Sequence, residues 1–165
     1  MSSLPDGIRE ATAADAADIV RLIQALADYE REPDAVVNTP ELVERWLFGP
    51  DAVASALVAE VDGRVVGVAV WYRSYSTWTG QPGIYLEDLF VEPEHRGSGF
   101  GRACLVALAR IAIDRGYARF EWVVLDWNEP AISFYDALGG RPMKGWTTYR
   151  VDGDRLQALG ASLVE

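Results

Sequence analysis

Two features with chemical potential stand close together in this chain: the paired carboxylates Glu87-Asp88 and the turn Arg96-Gly97-Ser98-Gly99-Phe100-Gly101. Alternating glycines ahead of a helix let backbone N–H groups gather round an anion, with the helix's positive end behind them. Arg96 and Arg102 add a full positive charge on either side, so a phosphate or pyrophosphate is the natural guest. In a regular strand Glu87 and Asp88 point to opposite faces, and they are no carboxylate dyad unless a bulge breaks the alternation. A carboxylate can take a proton, and a phenol such as Tyr135 can give one when held close to a more basic group. His95, the only histidine, reads as a residue of the loop rim, and Cys104 as part of a helix core. No His, Cys or carboxylate spacing suggests a metal site.

These residues must be placed by the elements around them. After a short strand at Ile8-Arg9, Thr12 with Asp15 three residues on marks a helix start. Ala16, Ile19, Val20, Ile23, Leu26 and Ala27 then recur at helical spacing, running out near Tyr29 to Glu32. Thr39-Pro40 restarts a short helix through Trp46 and Leu47. Ser55 to Val61 and Arg64 to Tyr72 are strands joined by Asp62-Gly63, a hairpin turn pair. A polar loop over Ser74 to Gly80, carrying Tyr75 and Trp78, leads to a third strand, Gly83 to Val91, stopped by Pro93. A helix from Gly101 to Gly116, a buried strand from Ala118 to Leu125, a helix from Asn128 to Gly139-Gly140 and a last strand from Trp146 to Val151 complete the order. The expected fold is α/β: a mixed, mostly antiparallel central sheet with helices on both faces.

The 165 residues fit one domain, 1–165. No apolar run approaches the roughly 20 residues that span a bilayer, and Met1 to Asp6 lack the basic and apolar regions of a signal peptide. A lone cysteine permits no internal disulfide and fits a reducing, cytoplasmic setting. The net charge of −10 argues against nucleic acid as a partner and permits a cationic substrate.

Three phosphate loops compete for the glycine turn. A P-loop requires Lys followed by Ser or Thr, and Arg102-Ala103 stands there. A dinucleotide fingerprint requires a third glycine where Arg102 sits, and a strand running straight into the turn. Here a segment containing Pro93 intervenes, although Glu121 lies where a ribose-binding acid would be expected. The third pattern, Arg96-x-x-Gly99-x-Gly101 between strand and helix, resembles the Gcn5-related N-acetyltransferase (GNAT) superfamily. The resemblance extends to its diamine branch, the spermidine/spermine and thialysine acetyltransferases. It rests on Ile8-Arg9-x-Ala11-Thr12-x-x-Asp15, Leu26-Ala27-x-Tyr29-Glu30, Tyr85-Leu86-Glu87-Asp88-Leu89-Phe90-Val91 and Trp127-Asn128-Glu129-Pro130-Ala131-Ile132-x-Phe134-Tyr135.

The resemblance implies an acetyl-CoA-dependent enzyme that acylates a small amine directly. Glu87 would be the base and Tyr135 the acid beside the departing sulfur. Leu89, Phe90 and Val91 would pair with pantetheine. Arg96, Gly97, Ser98, Gly99, Phe100, Gly101 and Arg102 would hold the pyrophosphate. Asn128, Glu129, Pro130, Ala131 and Tyr135 would line the arm. Tyr29, Glu30, Glu87 and Asp88 would meet the amine, with Tyr75 and Trp78 offering ring faces. On the residues alone, Glu87 can equally serve a structural ion pair, and Tyr135 can be a half-buried helix tyrosine.

One departure bears on the substrate. Lys144 stands where polyamine enzymes carry an acidic residue before Gly-Trp, which would repel the far ammonium of a long polyamine and favour a shorter or carboxylate-bearing amine. The branch also implies a homodimer. A non-catalytic acyl-CoA-binding regulator and a protein N-acetyltransferase are the alternatives on the same fold.

Overall fold

Thr12 and Asp15 act as the helix-start spacing predicts. The Asp15 carboxylate accepts from the Thr12 N–H at 2.7 Å and from Arg9 at 2.8 Å. Through Arg9 it is tied to Glu60 as well. One 3-10 turn, Ala13–Asp15, leads into α1, Ala16–Tyr29. The computed structural model describes residues 3–162, so the expectation at Met1 and Ser2 lies outside the described residues. Two compact units divide the chain, Met1–Val123 and Val124–Glu165.

The first unit holds a five-stranded sheet in sequence order: β1 (Ile8–Glu10), β2 (Ser55–Val61), β3 (Arg64–Ser76), β4 (Gln81–Val91) and β5 (Arg119–Glu121). The first four pair antiparallel and β5 runs parallel to β4. Asp62 and Gly63 both take the positive φ of a tight hairpin, 49° and 78°. Ala16, Ile19 and Leu22 of α1 pack with Val43 of α2 (Pro40–Val43) onto Ala56, Val58, Val68, Val70 and Phe90. The periodicity predicted the stripe, but Leu22, which it left out, is buried as fully as Ile19, while Ile23 is only partly buried. Leu57 and Ala59 alternate with Ala56 and Val58 along β2 and are equally buried, so the opposite face is covered too. That cover is α3 (Phe100–Asp114), which packs on β1 to β4 through a face containing Cys104, Leu105 and Leu108.

Several elements differ from expectation. The short second helix is α-helical only to Val43 and then widens into a π turn, Glu44–Phe48. β3 runs on to Ser76, so the expected loop from Ser74 shrinks to a turn, because Arg73 to Ser76 find ladder partners in Gln81 to Ile84. The expected strand from Ala118 to Leu125 is only Arg119–Glu121; its ladder with β4 ends at Tyr85, and Val123 is exposed.

The second unit contains α4 (Glu129–Ala137) and α5 (Gly153–Ala161). No strand forms over Trp146 to Val151. The apolar side chains Trp146, Tyr149 and Val151 are exposed, and no ladder among the described residues takes up their backbone. Strand-like composition does not by itself make a strand, because the pairing partner, not the propensity, decides.

Candidate active site

Glu87 is where β4 breaks. Trp71 of β3 pairs with Leu86, yet the preceding Val70 pairs with Asp88, so Glu87 has no partner across the ladder. One extra residue is a bulge, which ends the strict alternation of faces and re-aims the side chains around it. The expectation of opposed faces for Glu87 and Asp88 allowed for one exception, a bulge, and a bulge is present at this point. Glu87 is exposed and Asp88 half-buried.

Asp88 feels two other carboxylates here. Burial, then the charges of Glu87 and Glu30, push the Asp88 carboxyl up to about 6. Glu30, at the C-terminal cap of α1, is also raised by burial. Bringing a cation among them relieves the repulsion. Among the described residues no group of three or more His, Cys, Asp or Glu side chains is arranged to hold a metal ion. The rings of Tyr72 and Tyr85 stack at 5.1 Å, and both phenols are raised by burial and then by the charge of Glu87. Sequence reasoning did not single out Tyr72. The only signal for it is the cross-strand register Tyr72↔Tyr85, which the sequence does not display. Tyr75 and Trp78, by contrast, are exposed at the far end of the β3–β4 hairpin, away from the bulge along the strands.

Beyond the bulge β4 changes character. β5 covers its outer edge only over Gly83 to Tyr85, and among the described residues no strand pairs with Glu87 to Val91 on that side. The backbone of Leu89, Phe90 and Val91 therefore presents a short open edge, the kind that accepts an added extended chain. Just past it, buried Glu92 accepts from Arg21 and Arg64 (2.8 Å to Arg64), while Arg21 also donates to the Val65 carbonyl at 2.8 Å. This network fastens the glycine turn to α1 and β3. His95 lies on the 3-10 turn Pro93–His95 that follows.

In the turn, Gly97 and Gly99 have φ of +79° and +87°. A Cβ at either would meet nothing within 4 Å, so it is the backbone conformation, not packing, that calls for glycine. No acceptor among the described residues takes the N–H groups of Gly97 to Arg102; the first closed bond is Ala103 N–H to Gly99 at 2.8 Å. These donors, including those of Ser98, Phe100 and Gly101, sit at the positive end of α3 with Arg102 exposed in its first turn, an arrangement that suits an oxyanion. The Arg96 side chain is engaged elsewhere: its guanidinium lies over the rings of Tyr29 (5.0 Å) and Phe90 (5.4 Å), and its Nε–H donates to the Val91 carbonyl at 3.0 Å. Cys104 is buried, and burial pushes its thiol up to about 12, as a helix-core residue requires.

In the second unit the buried Asn128 caps α4 by accepting from the Ala131 N–H at 3.3 Å, with Pro130 in the first turn beside Glu129. Tyr135 is half-buried, its ring 5.3 Å from that of Phe134. Lys144 is exposed.

Residues 19–139, which run across both units, match the Acetyltransferase (GNAT) family. The chain belongs to that family. A thialysine N-epsilon-acetyltransferase of Sus scrofa is 38% identical over 163 residues, covering 92% of this chain and 95% of the relative. An L-ornithine N5-acetyltransferase of Arabidopsis thaliana is 36% identical over 116 residues, 70% of this chain and 48% of the relative. Among solved structures, an integron cassette protein from the mobile metagenome of V. cholerae superposes with a TM-score of 0.80 at 25% identity, covering 94% of this chain and 97% of that one. This GNAT protein is an N-acetyltransferase with the α/β fold expected of it.

Proposed function

We propose that this N-acetyltransferase moves the acetyl group of acetyl-CoA to the primary amine of a small molecule, with thialysine- or lysine-like diamino acids ahead of diamines and polyamines. The observation that carries the reading is the broken half of β4, an open backbone edge beside Asp88, a carboxylate that feels the charges of both Glu87 and Glu30. The uncapped N–H groups of Gly97 to Arg102 fit a pyrophosphate, and Leu89 to Val91 fit the amide-bearing pantetheine arm. Acetyl-CoA, when bound, supplies the thioester. On the protein side, Glu30, Glu87 and Asp88 draw in the ammonium, and Glu87 takes its proton. The freed nitrogen bonds to the acetyl carbon as the C–S bond breaks, the Tyr135 hydroxyl delivers a proton to the sulfur, and the second proton that the nitrogen sheds on becoming an amide passes through solvent water to restore the phenol. Asn128, Glu129, Pro130 and Ala131 line the arm.

Lys144 and the likeness to thialysine acetyltransferases favour an acceptor that carries its own carboxylate. The whole chain is proposed to act as one catalytic domain, in a cytoplasmic homodimer. The lone cysteine supports the setting, and the exposed Met143, Tyr149 and Leu159 of the second unit support the assembly. The net charge of −10 supports a small cation rather than nucleic acid as partner, and among the described residues no helix is long and apolar enough to cross a membrane.

Thiol release from acetyl-CoA across thialysine, lysine, ornithine, spermidine and a lysine-bearing peptide tests the substrate class. Preference for the diamino acids is expected; preference for spermidine overturns the inference from Lys144, and turnover of the peptide alone makes the chain a protein acetyltransferase. Tyr135→Phe is expected to lower kcat by about 10²-fold or more while the KM for acetyl-CoA stays put.

A further inference from the structure

The side chain of Arg96 stands between two sites that the sequence treats separately. It belongs to the turn whose N–H groups fit a pyrophosphate, yet its face covers Tyr29, on the last turn of α1, and Phe90, on the open half of β4. Nε–H on the Val91 carbonyl holds one edge of the guanidinium to the end of that strand. Glu30, next to Tyr29, is one of the three carboxylates around the bulge. A guanidinium can stack its face on a ring while its edge donates to an anion, a combination that lysine cannot reproduce.

We infer that Arg96 is a positioning residue that couples the two sites: filling the glycine turn with a pyrophosphate fixes the guanidinium, and the guanidinium fixes Tyr29 and Glu30 for the amine. The inference rests on the acetyl-CoA reading above. Coupling between two ligands is reciprocal, so each must raise the other's affinity by the same factor. The effect expected is about fivefold or more. Arg96 thereby acts on amine binding without touching the amine. A residue that only held pyrophosphate would change cofactor affinity alone.

Coenzyme A, which cannot donate an acetyl group, serves as the probe. With ring-labelled tyrosine, the Tyr29 signal, assigned by its loss in Tyr29→Phe, is expected to shift when coenzyme A is added to the wild-type chain and to stay still in Arg96→Lys. Calorimetry of coenzyme A with and without saturating thialysine is expected to show the coupling in wild type. Tyr29→Phe, which keeps the ring, should retain it; Arg96→Lys and Tyr29→Leu should each lose it, with no further loss in the double variant. An unmoved Tyr29 signal in a wild-type chain that binds coenzyme A overturns the inference while leaving the function intact. A shifted signal in a chain that acetylates no amine overturns the function and, with it, the coupling to an amine. Failure to bind coenzyme A overturns both.

Discussion

The two halves of β4 have the same backbone direction and the same neighbour on one side, but only one of them is finished. From Gly83 to Leu86 the strand is paired with β3, flanked by β5 through Tyr85, and buries Ile84 and Leu86 completely or nearly so. From Glu87 onward the register slips by one, the outer edge loses its strand, and carboxylates occupy positions a core strand would give to valine. The first half shows what the sheet does when only stability is at stake. The second forgoes ladder bonds and tolerates charge repulsion, costs that persist where a site needs backbone donors and a poised acid-base group.

The largest break in this contrast is expected from Glu87→Gln. Turnover of the acceptor amine at neutral pH should fall by about 10²-fold, and the rise of rate with pH should flatten; an unchanged profile removes Glu87 from proton transfer. Gly99→Ala comes next, since alanine at φ +87° is strained by about 1–2 kcal/mol. Titration should show acetyl-CoA binding weakened roughly fivefold or more. In the finished half, Ile84→Val is expected to cost about 1 kcal/mol in denaturant unfolding while leaving kcat unchanged.

The smallest effect is a slope. Asp88 is raised from the usual carboxylate value to about 6, so between about pH 4 and 6 the folded chain holds more protons than the unfolded one. Its contribution to stability thus falls as pH rises through that window, and Asp88→Asn should remove that loss in melting curves across it. Asp15 has the opposite sign. Held down to about 2 chiefly by its hydrogen bond from Arg9, it stabilises the fold above about pH 4 and loses that contribution as pH falls toward 2.

Much of this contrast is legible in the sequence, because its causes are local. The Thr12–Asp15 helix start, the Asp62-Gly63 hairpin and the glycine turn each follow from residue types within a few positions. The family's motifs single out Glu87 and Tyr135 as the proposed base and acid. What the sequence hides is register. The slip that leaves Glu87 unpaired, the Tyr72–Tyr85 stack and the early end of β5 depend on which residue of one strand meets which of another. The seat of Arg96 on Tyr29 is likewise a long-range contact, invisible in a motif that reads Arg96 as a charge beside glycines. The strand expected over Trp146 to Val151 fails to form for a related reason: composition names a willing strand but not the partner that would pair with it.

Hydrogen exchange along β4, with and without coenzyme A, reads both halves in one experiment. Protection is expected to rise at one or more amides of Leu89, Phe90 and Val91 and in the Gly97 to Arg102 turn, with Gly83 to Leu86 unchanged. Coenzyme A that binds without slowing any amide between Leu89 and Arg102, or that slows both halves of the strand alike, would contradict the assignment of the open edge and the turn to the acyl-CoA donor.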